Sequence, residues 1–355
     1  MKKIVTILVL GFLIISGFGV FAFQESVDSD NNRYEILNET FNAKQRNPLD
    51  SLKKYKGYIQ SKDIIFGNGR NIFRKYPVMD TVIRDDFSDE CSELVTTTVT
   101  DLPDYFSWTD FDGKDWTTPA RDQGGCGGCW LFAALGTFES IINIREGFAD
   151  LDPDLSEQYV LSCLPSAGSC RGGTVEGALY YISDTSDDGN NCNGVITESC
   201  FPYQADDSIP CSAKSNDWME YLVPIENCRH VDLGYDNYRM REVLKSWIIE
   251  NGPVGTNMYV TDLFMLWGNI FHNLKFCFPY VDIQDNIYNH CVVIVGWQDN
   301  PRMRRGGYWI CKNSWGADWG DNGFFSIVYG SLNLASEIIW VDYDPESYDW
   351  PSEAD

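Results

Sequence analysis

Residues 129–146, CWLFAALGTFESIINIRE, are apolar almost all round, with Trp130, Leu131, Phe132, Leu135, Phe138, Ile141, Ile142 and Ile144 preceding Gly147. A run of this length stopped by glycine predicts a buried helix rather than a strand. In LSEQYVLSCL, Ser156 has the character of an N-cap, and TVEGALYYI predicts another short helix. In YRMREVLKSWIIENGP, Val243 and Leu244 share a face with Trp247 and Ile248, and Asn251-Gly252-Pro253 closes the amphipathic helix. The pattern then changes. VGTNMYV, NHCVVIVGW, GYWICKN, GFFSIVYG and EIIWVDY are short, β-branched and aromatic, with glycine-rich breaks, and predict strands. LPDYFSWTDFDG predicts an extended first segment of the same compact region. Helices first and antiparallel strands later predict an α+β fold of two lobes with a cleft between them.

The ends of the chain have a different character. MKKIVTILVLGFLIISGFGVFAFQ has two lysines, an uncharged apolar stretch and then small residues, the layout of a secretory signal over residues 1–23 with VFA as its cleavage site. The expected location is secreted or extracytoplasmic. The apolar run Ile4–Phe23 is long for a signal, so retention as an N-terminal membrane anchor is the alternative. Residues 24–100 are polar and mixed, residues 101–341 carry most of the Trp, Gly and Cys, and residues 342–355 read as an acidic tail. Twelve cysteines in an exported chain favour disulfides. The net charge of −25 excludes nucleic acid as a partner, because nothing would neutralise its phosphates.

The chemistry concentrates in RDQGGCGGCWLFAALG, where Cys126 and Cys129 flank two glycines. Three readings compete. A thioredoxin-like C-x-x-C belongs beside a βαβ pattern, which this region lacks. A zinc clip needs further close ligands, yet Cys163 and Cys170 are widely spaced and only His230, His272 and His290 exist. Outside these three, a phosphate cradle fails because no Gly-Lys-Ser/Thr follows. The third reading is one structural cysteine beside one nucleophile. Cys129 sits where the buried helix begins, and the helix's positive end helps to lower a thiol pKa. His290 heads an apolar strand and can act as its base. Asn313, in CKNSWGADWGDNGFF, can orient the imidazole, with Trp315 shielding that contact from water.

DQGGCGGCW, NHCVVIVGW and KNSWGADWGDNGFF together resemble the papain-like cysteine peptidases, including the cathepsins, over about residues 102–340. The resemblance implies a papain-like fold, with a helical N-terminal lobe and an antiparallel, β-barrel-like C-terminal lobe around the active-site cleft. It implies that Cys129 is the nucleophile, His290 its base and later acid, and Asn313 the group that holds the ring. Gln123 corresponds to the family glutamine of the oxyanion hole. SCLPSAGSCRGGT resembles the family segment whose pairings imply disulfides Cys126–Cys170 and Cys163–Cys211, followed by Gly172 and Gly173 as an edge that binds extended peptide. Gly172, Gly173, Trp315 and Glu337 are the candidate substrate-binding positions, and Glu337 would floor the second specificity pocket. The implied activity is that of a cysteine-type endopeptidase made as a secreted zymogen, with no metal and no organic cofactor. Its partners are peptide or protein substrates and its own propeptide, residues 24–100, as inhibitor.

The chain also departs from the family. Gly128 stands where serine is usual, and Leu131 and Cys291 stand where small apolar residues are usual. The family's third disulfide cannot form as usual because no cysteine follows Cys311. Cys291 and Cys311, in apolar strands, are expected as buried thiols. The pairing of Cys91, Cys192, Cys200, Cys228 and Cys277 stays open, as do an inactive peptide-binding homologue and an acyl-transferring relative as alternative functions.

Overall fold

The computed structural model describes residues 78–79, 82–83, 102–183, 193–234, 236, 238–283 and 287–350. The signal segment 1–23, nearly all of 24–100, Cys91, Cys192 and residues 351–355 lie outside the described residues. Strands β1 (Val82–Ile83) and β2 (Tyr105–Ser107) precede helix α1, Cys129–Glu146, which has the bounds its apolar run predicts. Gly147 ends α1 in the left-handed region, at φ 75°, a conformation that favours glycine. Helix α2 (Glu157–Cys163) is capped by Ser156, whose hydroxyl accepts from the Tyr159 amide at 3.0 Å. A two-stranded ribbon of β3 (Gly168–Ser169) and β4 (Gly172–Gly173) leads into α3 (Val175–Ser183). A second ribbon joins β5 (Gly194–Ile196) to β6 (Leu222–Pro224).

The later half contains β7 (Asn227–Asp232), α4 (Tyr238–Asn251), β8 (Val254–Met258), α5 (Asp262–Ile270), β9 (Cys277–Phe278), β10 (Ile287–Tyr288), β11 (His290–Asp299), β12 (Gly307–Lys312), β13 (Phe324–Val328) and β14 (Glu337–Asp342). Seven of these strands form one sheet in the order β7-β14-β8-β11-β12-β13-β9, with β2 added to β11 as the eighth. All pairings are antiparallel except β13 with β9. The expected barrel-like closure is absent among the described residues. β11 divides its edge between β8, along His290–Ile294, and β2, along Gly296–Gln298, with a bulge between, and β7 and β9 end an open path.

Two apolar cores flank this sheet, and β11 and β14 serve both. Cys291, Val293 and Val295 pack into the helical core with Trp130, Phe138 and Tyr159, while Val292 and Ile294 face the second core of Phe264, Trp309 and Phe325. On β14, Ile339 and Val341 face the first core and Ile338 and Trp340 the second. Strand alternation of period two explains why both segments read as continuous apolar runs. Each fully buried aliphatic side chain contributes roughly 1.5–3 kcal/mol, so the middle sheet layer binds the two lobes together.

The segment expected as an acidic tail is not one through residue 350. Tyr343 is buried in the helical core and donates its hydroxyl proton to Glu146 Oε1 at 2.6 Å, and Trp350 Nε1 donates to the Tyr343 hydroxyl at 3.1 Å. Its aromatic residues, rather than its carboxylates, decide its placement.

Candidate active site

Cys129 opens α1 and is fully buried, with Gly128 as the preceding cap residue. The first-turn amides therefore lie at the sulfur's end of the helix, and no acidic side chain occupies that turn. Across from it, His290 is fully buried at the head of β11. The ring's Nε2 donates to Asn313 Oδ1 at 2.7 Å, and the same oxygen accepts the Ser314 amide at 2.9 Å. Nδ1 makes no hydrogen bond of regular geometry, and the group that feels its charge is the Cys129 sulfur. Burial alone would push the Cys129 thiol up. Contact with the Cys291 thiol and the charge and hydrogen-bonding of His290 outweigh it, so the thiol lies well below the usual range. Burial and the neighbouring sulfur raise Cys291 well above its usual value, which leaves it a neutral neighbour.

Trp315 is 1% exposed and its ring lies 4.6 Å from the imidazole, at 31° between planes. That face favours a positive ring and excludes water. Its own edges pack on Phe264 and Trp319. Trp315 thus packs on the imidazole and is buried.

Gln123 is fully buried and held from several sides. Its amide nitrogen donates to Ser314 O at 2.9 Å, its carbonyl accepts the Tyr203 hydroxyl at 3.0 Å, and its Oε1 accepts the Ser314 hydroxyl at 2.7 Å. Side-chain Nε2, which carries two hydrogens, donates one to Cys126 O at 2.9 Å. Cys126 is disulfide-bonded to Cys170, and Cys163 to Cys211. The two cysteines of the CGGC stretch therefore have different fates, one a staple and one a free thiol, which rules out a dithiol redox pair or clip made of both. Cys200 and Cys228 are not paired with each other; both are free, as are Cys277, Cys291 and Cys311.

Residues 102–339 match the family described as papain family cysteine protease. The chain belongs to the papain family of cysteine proteases. It is 33% identical to the viral cathepsin of Heliothis zea nuclear polyhedrosis virus over 228 residues, 64% of this chain and 52% of that protein. It is 28% identical to the viral cathepsin of Bombyx mori nuclear polyhedrosis virus over 309 residues, 83% of this chain and 86% of that protein. The chain therefore spans about half the length of the first relative and most of the second. The fold is similar to that of digestive procathepsin L2 proteinase from Tenebrio molitor larval midgut, with TM-score 0.56 and 24% identity over 72% of each chain. It is also similar to the proform of the ragweed pollen allergen Amb a 11 cysteine protease, with TM-score 0.55 and 25% identity over 71% of this chain and 70% of that one.

The β3–β4 ribbon packs on Trp130. Gly173 has no room for a side chain, because a Cβ there would lie 2.6 Å from the Trp130 ring and 2.8 Å from Ala167 O. Trp130, next to Cys129, also donates its Nε1–H to Ser169 O at 3.2 Å. One side chain thus fixes the distance between Cys129 and the glycine edge. At the seam of the lobes, Lys312 Nζ donates to the Thr118 hydroxyl at 2.6 Å, which donates to Glu139 Oε2 at 2.6 Å. This buried line ties α1 to the residue beside Asn313.

Glu337 begins β14 and is buried, with its Oε1 accepting from Asn257 Nδ2 and its Oε2 lying 3.2 Å from His230 Nε2. Asn257 Oδ1 in turn accepts the Cys291 S–H at 3.0 Å. Sequence reasoning did not find Asn257 or His230 here. Neither stands in a motif, and only strand register brings β7, β14 and β8 together.

Proposed function

We propose that this chain is a cysteine-type peptidase, an endopeptidase made as a secreted zymogen. The observation that carries the reading is the imidazole held by Asn313 on one side and facing a low-pKa sulfur on the other. The Cys129 thiolate attacks the scissile carbonyl and forms a C–S bond. The oxyanion is met by the Cys129 backbone N–H and the Gln123 side-chain amide. The His290 imidazolium gives its proton to the leaving amine, and the C–N bond breaks. Water, deprotonated by the now neutral imidazole, then attacks the thioester, releases the acid and restores the ion pair. Gly172 and Gly173 hold the substrate backbone as an added strand.

The domain reading is a signal over 1–23, a propeptide over 24–100 and a peptidase domain over 101–341. Residues of the propeptide stretch support an inhibitory role. Met79 is 2% exposed among the residues of the helical core, and its amide donates to Asn289 O at 3.1 Å, one residue before His290. Gly127 approaches Val78 and Met79 so closely that a Cβ on it would lie 3.3 Å from Val78 O and 3.4 Å from Met79 Cα. β1 pairs with β10 just ahead of β11.

The test is labelling with an epoxide or iodoacetamide probe followed by peptide mapping, before and after acid or protease treatment of the precursor. Modification should centre on Cys129, increase on processing, and vanish together with turnover in Cys129→Ala. Chelators should leave activity intact. Labelling centred on Cys291 or Cys311 refutes the nucleophile, and strong inhibition by EDTA revives a metal reading.

A further inference from the structure

The polar line that starts at the nucleophile does not stop at Glu337. Cys129 adjoins Cys291, Cys291 donates to Asn257, and Asn257 donates to Glu337, whose second oxygen faces His230 at 3.2 Å. His230 lies on edge strand β7. It is two residues from Asp232, the register partner of Glu337, so His230 and Glu337 are diagonal neighbours on one sheet face. From α3, Glu176 brings a carboxylate to 3.7 Å of His230 Nδ1. The groups facing this imidazole are therefore Glu337 from β14, Glu176 from α3 and Asp232 from its own strand, all acidic. His230 keeps 16% of its side chain exposed, against 8% for Glu337. Solvent protons reach the ring while the carboxylate stays shielded.

We propose that His230 is a specificity-determining counter-ion: protonated, it neutralises Glu337 and the pocket takes apolar side chains, whereas neutral, it yields that carboxylate to a basic side chain of the substrate. The inference rests on the reading that Glu337 floors the pocket for the second residue before the scissile bond. Burial by itself would lower the His230 pKa. The hydrogen bond to Glu337 and the charges of Glu176, Glu337 and Asp232 outweigh it and raise the value. The exchange therefore falls above the ordinary imidazole value. Without His230, no imidazole would tune how far the carboxylate favours arginine. With His230 beside it, that preference grows as the ring loses its proton.

The experiment compares kcat/KM for peptide substrates carrying Arg or Leu at that residue, from pH 5 to 8, in the wild-type enzyme, His230→Gln and Glu337→Gln. The wild-type Arg/Leu ratio should rise about tenfold across the His230 titration, the scale of one partly screened charge pair. In His230→Gln the ratio should be flat and already at its high-pH value. In Glu337→Gln it should be flat and low. A second readout is independent of turnover. The chain has three histidines, so NMR of histidine-labelled protein can follow His230 directly, and Glu337→Gln should lower its titration midpoint. A His230→Gln ratio that still bends with pH, while Glu337→Gln removes the arginine preference, overturns the counter-ion role alone. An arginine preference unchanged in Glu337→Gln overturns the pocket reading, and this inference with it. An unmoved His230 midpoint in Glu337→Gln likewise overturns the pairing.

Discussion

Replacing Asn313 by alanine isolates what the ring's partner contributes. The wild-type contact is a 2.7 Å bond from His290 Nε2 to Asn313 Oδ1, with both residues buried. A hydrogen bond to a charged group contributes about 1.5–3 kcal/mol, and here it favours the imidazolium over the neutral ring. Its loss should reduce the ion-pair population about 10- to 100-fold relative to the neutral pair, since each 1.4 kcal/mol is tenfold. The Cys129 thiol, now held down mainly by its remaining contacts, should titrate at higher pH. The direct assay is the pH dependence of alkylation by iodoacetamide under pseudo-first-order conditions, whose acidic limb reports thiolate formation. In Asn313→Ala that limb should move to higher pH and kcat/KM should fall about 10- to 100-fold near neutrality. The Ser314 amide also loses its acceptor, so thermal unfolding must show that the variant is folded at the assay temperature. A folded Asn313→Ala protein with an unmoved alkylation profile refutes the reasoning.

Three further outcomes follow from other parts of the structure. Gln123→Ala should lower kcat about 100-fold with little change in substrate affinity, as expected for one oxyanion donor; a change confined to KM contradicts that role. Gly173→Ala should raise KM, because a methyl group there meets the Trp130 ring and Ala167 O and forces the ribbon away from the cleft; unaltered kinetics refute the tight fit. Glu198 is pushed up to about 7, chiefly by burial. Its folded-state value exceeds the unfolded one, so its contribution is full below about pH 4 and is lost as pH rises through 7. Allowing for solvent screening, Glu198→Gln should flatten the fall in stability between those limits by about 1 kcal/mol, or about 3 °C in Tm; an unchanged slope of Tm against pH removes the assignment.

How far each part was legible in the residue order follows the range of the forces involved. The extent of α1 was readable because an apolar run and a terminal glycine act locally. The antiparallel strands after Pro253 were readable from β-branched and aromatic runs. Helix α5 and strand β7 were missed. α5 carries a Thr261 cap, whose hydroxyl accepts the Phe264 amide at 3.2 Å, ahead of DLFMLWGNI, a signal that was available. β7, with NCRHVD, has no apolar alternation and exists because β14 pairs with it. Barrel closure was expected from the family resemblance, but the bulge in β11 and the two-residue strand β9 leave the sheet open.

The same division applies to the site. Residue order by itself determined which groups can react: one thiol at the head of a buried helix, one histidine at the head of an apolar strand, and an asparagine and a glutamine in glycine-rich turns. It also singled out Glu337, proposed here as a pocket carboxylate. Only tertiary structure decided what surrounds them. It placed the Trp315 face on the imidazole, the Cys291 thiol beside Cys129, and Asn257 and His230 on either side of Glu337. The physical reason is that a side chain's chemistry is intrinsic, whereas its charge state and its partners depend on burial and on strand register. Those are set by contacts between residues far apart in the chain, as with His230 and Glu337, which lie 107 positions apart.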